Sequence, residues 1–420
     1  MCDSTPVVKI RVGALSVFAV ATCNAGRTLG QTLLREAAGA LCAMHLLALA
    51  IAPSVVPWST RLHVTGVVDV SAPRTDGRLV VSGGARLWLL DRRTGALAPF
   101  AAGPDGYPGG AGDEPYLALS SGARVSAAGC TFAPDELYVL QQGPHDVLRI
   151  DPAGRAHRFA HVDGVDSLGG IAFDTAGRFG SRLLVIGPSH GATVVAAIDC
   201  RGQVRHITDR APAMEGGIAV APPGFGAFGG DLVATDELSG QVLAVRPDGS
   251  TATVAHSGLP AGGDIGVEAA GFVPPGFGAG GAAYFADRAT PGNPHPGTDT
   301  LLRLDAGQLA AAGVRDGDLV AATEGGARTI AVHCADSCTV SEIAAGPPQA
   351  HGEGHVVLVA DHPTGAAGPL AEASNLGAAA RTQALITLLG AALLVVVVAA
   401  AATWLTLWLR RRRRAVRPGR

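Results

Sequence analysis

Aromatic residues make up only 5% of this 420-residue chain, charged residues only 16%, and Lys9 is its single lysine. The shortage of aromatic rings excludes the stacking platforms that hold single-stranded nucleic acid. Basic residues are scarce in the middle of the chain as well: residues 1–60 carry +2 and the tail from Arg410 carries +7, so a formal charge of −3 leaves about −12 between them. A body that acidic has no surface for phosphate backbones, and nucleic acid is excluded as a partner. Asparagine is also rare, with only Asn293 and Asn375 beyond residue 60, and no Leu-Pro-x-Thr-Gly sorting sequence precedes the C-terminal apolar run. Disorder throughout is excluded by a hydrophobic content of 48%. The preference for arginine and the excess of alanine and glycine are what a GC-rich bacterial genome imposes, and no function is read from them.

What the chain does have is turn residues. Its 58 Gly and 27 Pro suit many tight turns between short strands rather than long helices. It also has two long apolar runs. Residues Ala384 to Leu409 carry no charge, are long enough to cross a bilayer, and end on Trp404 and Trp408 with Arg410 to Arg414 immediately after. This run is expected to be a transmembrane helix at 384–409 with a basic cytoplasmic tail at 410–420. Ala37 to Val56 reads as the core of a signal peptide or an N-terminal anchor within residues 1–57. Either reading places the intervening residues outside the cytoplasm, as a body at 58–365 and a flexible linker at 366–383.

The body repeats itself. Glu215-GGIAVAPPGFGAFGGDLVAT-Asp236 aligns with Glu268-AAGFVPPGFGAGGAAYFA-Asp287, and weaker copies begin at Val67, Gly129, Gly169 and Thr339. Five further apolar segments, starting at Ala85, Asp146, Val194, Gln241 and Thr300, end in Asp/Gly turn signals spaced roughly 47 to 60 residues apart. That spacing is the length of a four-stranded propeller blade. Inner strands starting near 67, 129, 169, 216, 269 and 339 imply an all-β fold of six blades, with Arg61 to Thr65 joining the sixth to close the ring.

This pattern of inner strand, Pro/Asp/Gly turn, apolar strand ending in Asp and third strand resembles six-bladed propellers of the NHL, gluconolactonase and strictosidine-synthase-like (TolB-like) superfamily. The resemblance covers about residues 60–362. It implies the fold, and it implies function only broadly, because such propellers serve as lactonases, esterases, receptors and scaffolds. Gluconolactonase-like enzymes hold a metal at the channel mouth with a Glu at the leading end of an inner strand, but they also use Asn and Asp ligands, and beyond residue 60 this chain has only Asn293 and Asn375.

In a blade, the start of the inner strand and the loop after the second strand share one face. Glu215 and Glu268 precede inner strands, Asp236 and Asp287 end second strands, and Asp166 lies in the corresponding loop of blade three, so these five acids form the expected ligand-binding set. Carboxylates gathered in this way suit a hard cation such as Ca²⁺, with Glu215 and Glu268 as its ligands, or a cationic ligand. Gly187-Pro188-Ser189-His190-Gly191 matches a nucleophile elbow in letters only, since a strand rather than a helix follows it. His351-Gly-Glu353-Gly-His355 reads as a glycine-rich turn. Cys130, Cys200, Cys334 and Cys338 form an even set expected to make disulfides; Cys334 with Cys338 leaves Cys130 with Cys200, and the other two pairings remain open. The expectation for function is a non-enzymatic module binding a small molecule, a glycan or an envelope protein, and the alternative is a metal-dependent lactonase or esterase.

Overall fold

In the computed structural model, residues 7–12, 15–20, 55–109 and 114–361 are described. Val7–Val12 and Leu15–Val20 pair as an antiparallel hairpin. Of the apolar run at 37–56, residues 37–54 lie outside the described residues while Val56 and Pro57 form a short strand of the body, and the run at 384–409 lies wholly outside them. Among those that are described, no helix is long and apolar enough to cross a membrane.

Residues 56 to 360 form six sheets of four or five strands, each the blade of a propeller. From the channel outward, blade one is Val67–Val70, Leu79–Gly83, Arg86–Leu90 and Leu97–Phe100. Blade three runs Gly170–Phe173, Leu183–Ser189, Ala192–Ile198 and Val204–Ala211. Blade four runs Glu215–Val220, Leu232–Asp236, Gln241–Val245 and Thr251–His256. The strands alternate because their apolar residues must face two neighbouring blades, and the core is the set of layers between blades. Leu184, Ile186 and Val195 of blade three, for example, pack on Ile218, Leu232 and Leu243 of blade four. The elbow-like pentapeptide is a hairpin turn, with His190 and Gly191 at φ of 51° and 79° between two strands.

Blade two differs from the expectation. Its inner strand is Leu117–Leu119, followed by Leu137–Gln141, Asp146–Ile150 and Ala156–His161. The segment at 129 instead belongs to a small two-stranded ribbon, Arg124–Val125 with Cys130–Thr131, placed between the first two strands. Three residues of inner strand are too few to show a period in the sequence.

Blades five and six are interleaved. Blade five begins with Val267–Phe272, but its second strand is Leu319–Thr323, followed by Thr329–Cys334, Cys338–Ala345 and the two-residue Val56–Pro57. Between them the chain crosses to blade six, contributing Gly281–Asp287 and Thr300–Asp305, and returns through the helix Ala306–Ala311. Blade six is completed by Gly352–Ala360 inside and Ser59–His63 outside. The expected inner strand at 339 is thus the fourth strand of blade five, whereas the expected closure by residues near 61 is present.

One residue explains why near-identical Pro-Pro-Gly-Phe-Gly loops are used differently. In blade four, Asp231 is fully buried, its carbonyl accepts the Ala221 N–H at 2.9 Å, and its carboxylate pairs with Arg178 at 2.7 Å, so the loop folds back onto its own strand. The second copy has no acid at that position. Asp318 fills the role from 45 residues on, its carbonyl accepting the Val273 N–H at 2.9 Å. Gly281, in turn, lies where a Cβ would sit 2.2 Å from the Val359 carbonyl oxygen, so the glycine admits the close pairing of its strand with blade six.

Both disulfides follow the pairing named first from the sequence, Cys130–Cys200 and Cys334–Cys338. The first links the blade-two ribbon to blade three. The second staples a hairpin in blade five, beside which His333 contacts Asp318 at 2.7 Å.

Candidate functional site

All six inner strands run in the same direction, so their leading ends converge at one mouth of the channel. Glu114 and Tyr116 lead into blade two, Glu215 opens blade four, Glu268 blade five, and His351 and Glu353 blade six. Glu237, Glu324 and Arg288 follow the second strands of blades four, five and six. Charge that water would normally solvate is gathered here in a largely buried space: Glu268, Glu324, His351 and Glu353 are each no more than 7% exposed.

The contacts are dense. Tyr116 Oη lies 2.6 Å from Glu353 Oε1 and 3.0 Å from Glu268 Oε1. A phenol has one proton to donate, so one of those carboxyls must itself carry a proton. Burial, then the charges of Glu353, Glu324, Glu215 and Glu114, hold Glu268 well above the usual carboxylate range, which favours it as that group. Burial and Glu114 push Glu353 up to about 7, while Arg288 and the Tyr116 hydrogen bond restrain it. Glu237 is pushed up to about 8 by burial and by the charges of Glu324 and Glu215. Glu215 is the open member of the group, yet partial desolvation followed by Glu114 and Glu324 raises it too.

Arg288 is the cation of the mouth. Its Nη1 donates to Glu114 Oε1 at 2.5 Å and lies 3.4 Å from Glu353 Oε2, and Gln142 Nε2 holds the other oxygen of Glu114 at 2.9 Å. His351 Nε2 is 2.9 Å from Glu324 Oε1 and 3.9 Å from Glu353 Oε2. Burial lowers the His351 pKa, but the Glu324 hydrogen bond and the two carboxylate charges outweigh it and raise the group overall. One ligand atom each from Glu324, His351 and Glu353 lies within 4.8 Å of the others, and all three residues are buried. These donors fit a divalent cation. An imidazole among them favours Mn²⁺ or Zn²⁺ over the all-oxygen Ca²⁺ environment that the carboxylates alone suggested.

Of the five acids singled out in the sequence, the geometry brings Glu215 and Glu268 into this group. Asp236 receives the Leu238 N–H at 3.1 Å and the Ser239 hydroxyl, capping a hairpin. Asp166 is exposed and accepts from the His190 N–H at 3.2 Å. Asp287 is fully buried and engaged by Thr298, Thr300 and the His351 N–H, so it sets the backbone on which His351 stands. The His351–His355 pentapeptide is not a turn: His351 directly precedes the inner strand of blade six, which holds Glu353 and His355. Its glycines reflect crowding. At Gly354, φ is 71° and a Cβ would fall 2.5 Å from the Val68 carbonyl oxygen; at Gly216, a Cβ would fall 2.4 Å from Glu268 Cγ. The alternation of His, Glu and His was the signal available in the sequence, although a register shift at Gly354 separates Glu353 from His355 along the strand.

No protein-family model matches the chain, and no curated protein does. Among solved structures, it is similar to a catalytically inactive virginiamycin B lyase from Staphylococcus aureus with quinupristin, at 12% identity and a TM-score of 0.39, covering 71% of this chain and 90% of the other. A putative gluconolactonase matches at 12% identity and a TM-score of 0.39, covering 73% and 97%. A putative TolB from Agrobacterium tumefaciens matches at 13% and 0.39, covering 69% and 83%. These are propellers of the kind the sequence resembles. Likeness this remote carries no argument about activity, and the fold stands on the six blades themselves.

Proposed function

We propose that the protein is a membrane-anchored, extracytoplasmic propeller that binds a small oxygen-rich ligand, such as a hydroxy acid or a glycan, through a divalent cation at its acidic mouth. The observation that carries this reading is the buried Glu324, His351 and Glu353 group with its ligand atoms within 4.8 Å. Glu268 and Glu215 line the same mouth, and His351 turns Nε2, 2.9 Å from Glu324 Oε1, into the group. Among the described residues, Arg288 supplies a guanidinium at the mouth able to meet an anionic group of the ligand.

The test is the metal content of the full-length protein by elemental mass spectrometry after dialysis against metal-free buffer. One equivalent of cation is expected, and it should be absent from the Glu324→Gln and Glu353→Gln variants with the fold intact by circular dichroism. Failure of the parent protein to retain or rebind Mn²⁺, Zn²⁺ or Ca²⁺ would overturn the reading.

A second reading, hydrolysis of a lactone or ester, is favoured by Arg288 and the Tyr116 hydroxyl flanking the same group. A bound cation supplies Lewis acidity and an acidified water in such chemistry. Arg288 would orient the acyl oxygen and Tyr116 would hold Glu353 in place. Metal-dependent turnover of simple lactones, lost in Arg288→Ala, separates this reading from binding alone.

A further inference from the structure

The opposite mouth of the channel is as apolar as the first is acidic. A cavity of about 590 Å³ opens there, walled by the trailing halves of the same inner strands, with Val70, Ile171, Phe173, Val220, Phe272 and Leu358 among its lining. Its inner end is His355, whose Nδ1 lies 2.9 Å from Asp69 Oδ2 and whose Nε2 lies 3.0 Å from the Ile171 carbonyl oxygen. Both ring nitrogens are therefore engaged, and the buried pair stands between the two mouths. The only other side chain in the wall able to hydrogen-bond is Thr175, which is exposed. Side-chain partners for a polar ligand are therefore nearly absent from the wall, which favours an apolar occupant. The volume is that of a small-molecule site rather than a protein-docking face.

We propose that this cavity takes the acyl chain of a membrane lipid, hydrocarbon end first, with the headgroup left outside. The course of the chain points to that source. Ala360, the last residue of the blade-six inner strand, lines the cavity, and the apolar run at 384–409 begins only 24 residues later. A linker of that length lets the propeller, once anchored by that run, turn its apolar mouth toward the bilayer with its acidic mouth away from it. The inference takes from the proposed function only the anchorage, and does not depend on the cation.

The experiment uses the full-length protein in membranes of the expressing cells, loaded with diazirine-bearing palmitic acid and irradiated, with labelled peptides mapped by mass spectrometry. Label is expected within 170–173, 218–220 and 356–360. It should be lost in Ala172→Trp and reduced in the milder Ala219→Leu, both at partly exposed lining positions, with each variant's melting temperature checked against the parent. Label confined to 384–409, or unchanged in both well-folded variants, overturns the proposal. Extraction with alkaline carbonate tests the anchorage separately: labelled cavity peptides in a protein stripped from the membrane would support the cavity and overturn the anchorage.

Discussion

The two mouths of the channel are built from the same six strands, yet they have opposite chemistry. Along Glu215–Val220 the residues pass from Glu-Gly-Gly to Ile-Ala-Val, and Gly352–Ala360 passes from Gly-Glu-Gly-His to Val-Val-Leu-Val-Ala. Leading halves carry carboxylates with glycines that let them crowd together; trailing halves carry aliphatic side chains that form a wall. The contrast shows that polarity can be segregated along a strand as well as across its two faces. It also shows that the Asp69–His355 pair at the changeover is structural, because Asp69 additionally accepts the N–H groups of Val70, Leu117 and His355 at 2.7 to 2.8 Å.

Breaking that divider should have the largest effect. Asp69→Ala leaves a buried imidazolium and three N–H groups without their acceptor, and an expected loss of about 3–5 kcal/mol should be read by denaturant unfolding; an unchanged midpoint would show that the pair does not hold the channel together. At the acidic mouth, Gly216→Ala sets a Cβ against Glu268 at a residue with φ of 72°, and about 2–3 kcal/mol should be lost in the same measurement. Glu353→Gln should weaken cation binding by at least the ~10–100-fold that outer-shell changes cost, measured by titration calorimetry with Mn²⁺ or Zn²⁺; wild-type affinity in the variant would remove Glu353 from the ligand set.

Acidity sharpens the comparison further. Glu268, Glu353 and Glu237 have folded pKa values above their unfolded ones, so the folded state binds more protons. Their stabilising contribution is complete below the ordinary Glu pKa and is lost as pH rises through about 7 to 8. Metal-free protein should therefore melt a few degrees lower at pH 8.5 than at pH 5.5, and added cation should reverse the trend. The smallest effect is expected on the outer rim, where Arg328 grips Glu342 at 2.8 and 2.9 Å and lowers its pKa. That contribution is present above the ordinary Glu pKa and lost as pH falls through the depressed one. Arg328→Ala should cost less than about 1 kcal/mol, since the pair is partly exposed.

Much of this architecture was legible from local signals. Turn residues at blade-length spacing implied six blades, and the position of Glu215 and Glu268 just ahead of inner strands placed them at one mouth. The rest of the site was less visible. Glu237, Glu324 and Arg288 sit one residue past second strands, a position that means nothing until the partner of each strand is known, and the assignment of Gly281–Asp287 to blade five hid the place of Arg288. The glycines around Glu353 signified close packing between strands, which in one dimension is indistinguishable from flexibility.

The sequence by itself determined the repeating hydrophobic pattern, the acidity of the body, the even set of cysteines and the two apolar runs, because each is a property of neighbouring residues along the chain. Only the tertiary structure decided which strand pairs with which, that residues 281–305 serve blade six, and that Tyr116, Arg288, Glu324, His351 and Glu353 share one buried space. Pairing depends on contacts between residues far apart in the chain, here on an acid supplied by Asp231 in one loop and by Asp318 from a distance in the other. The pKa shifts follow from burial and from charges on different blades, and neither exists before the ring closes.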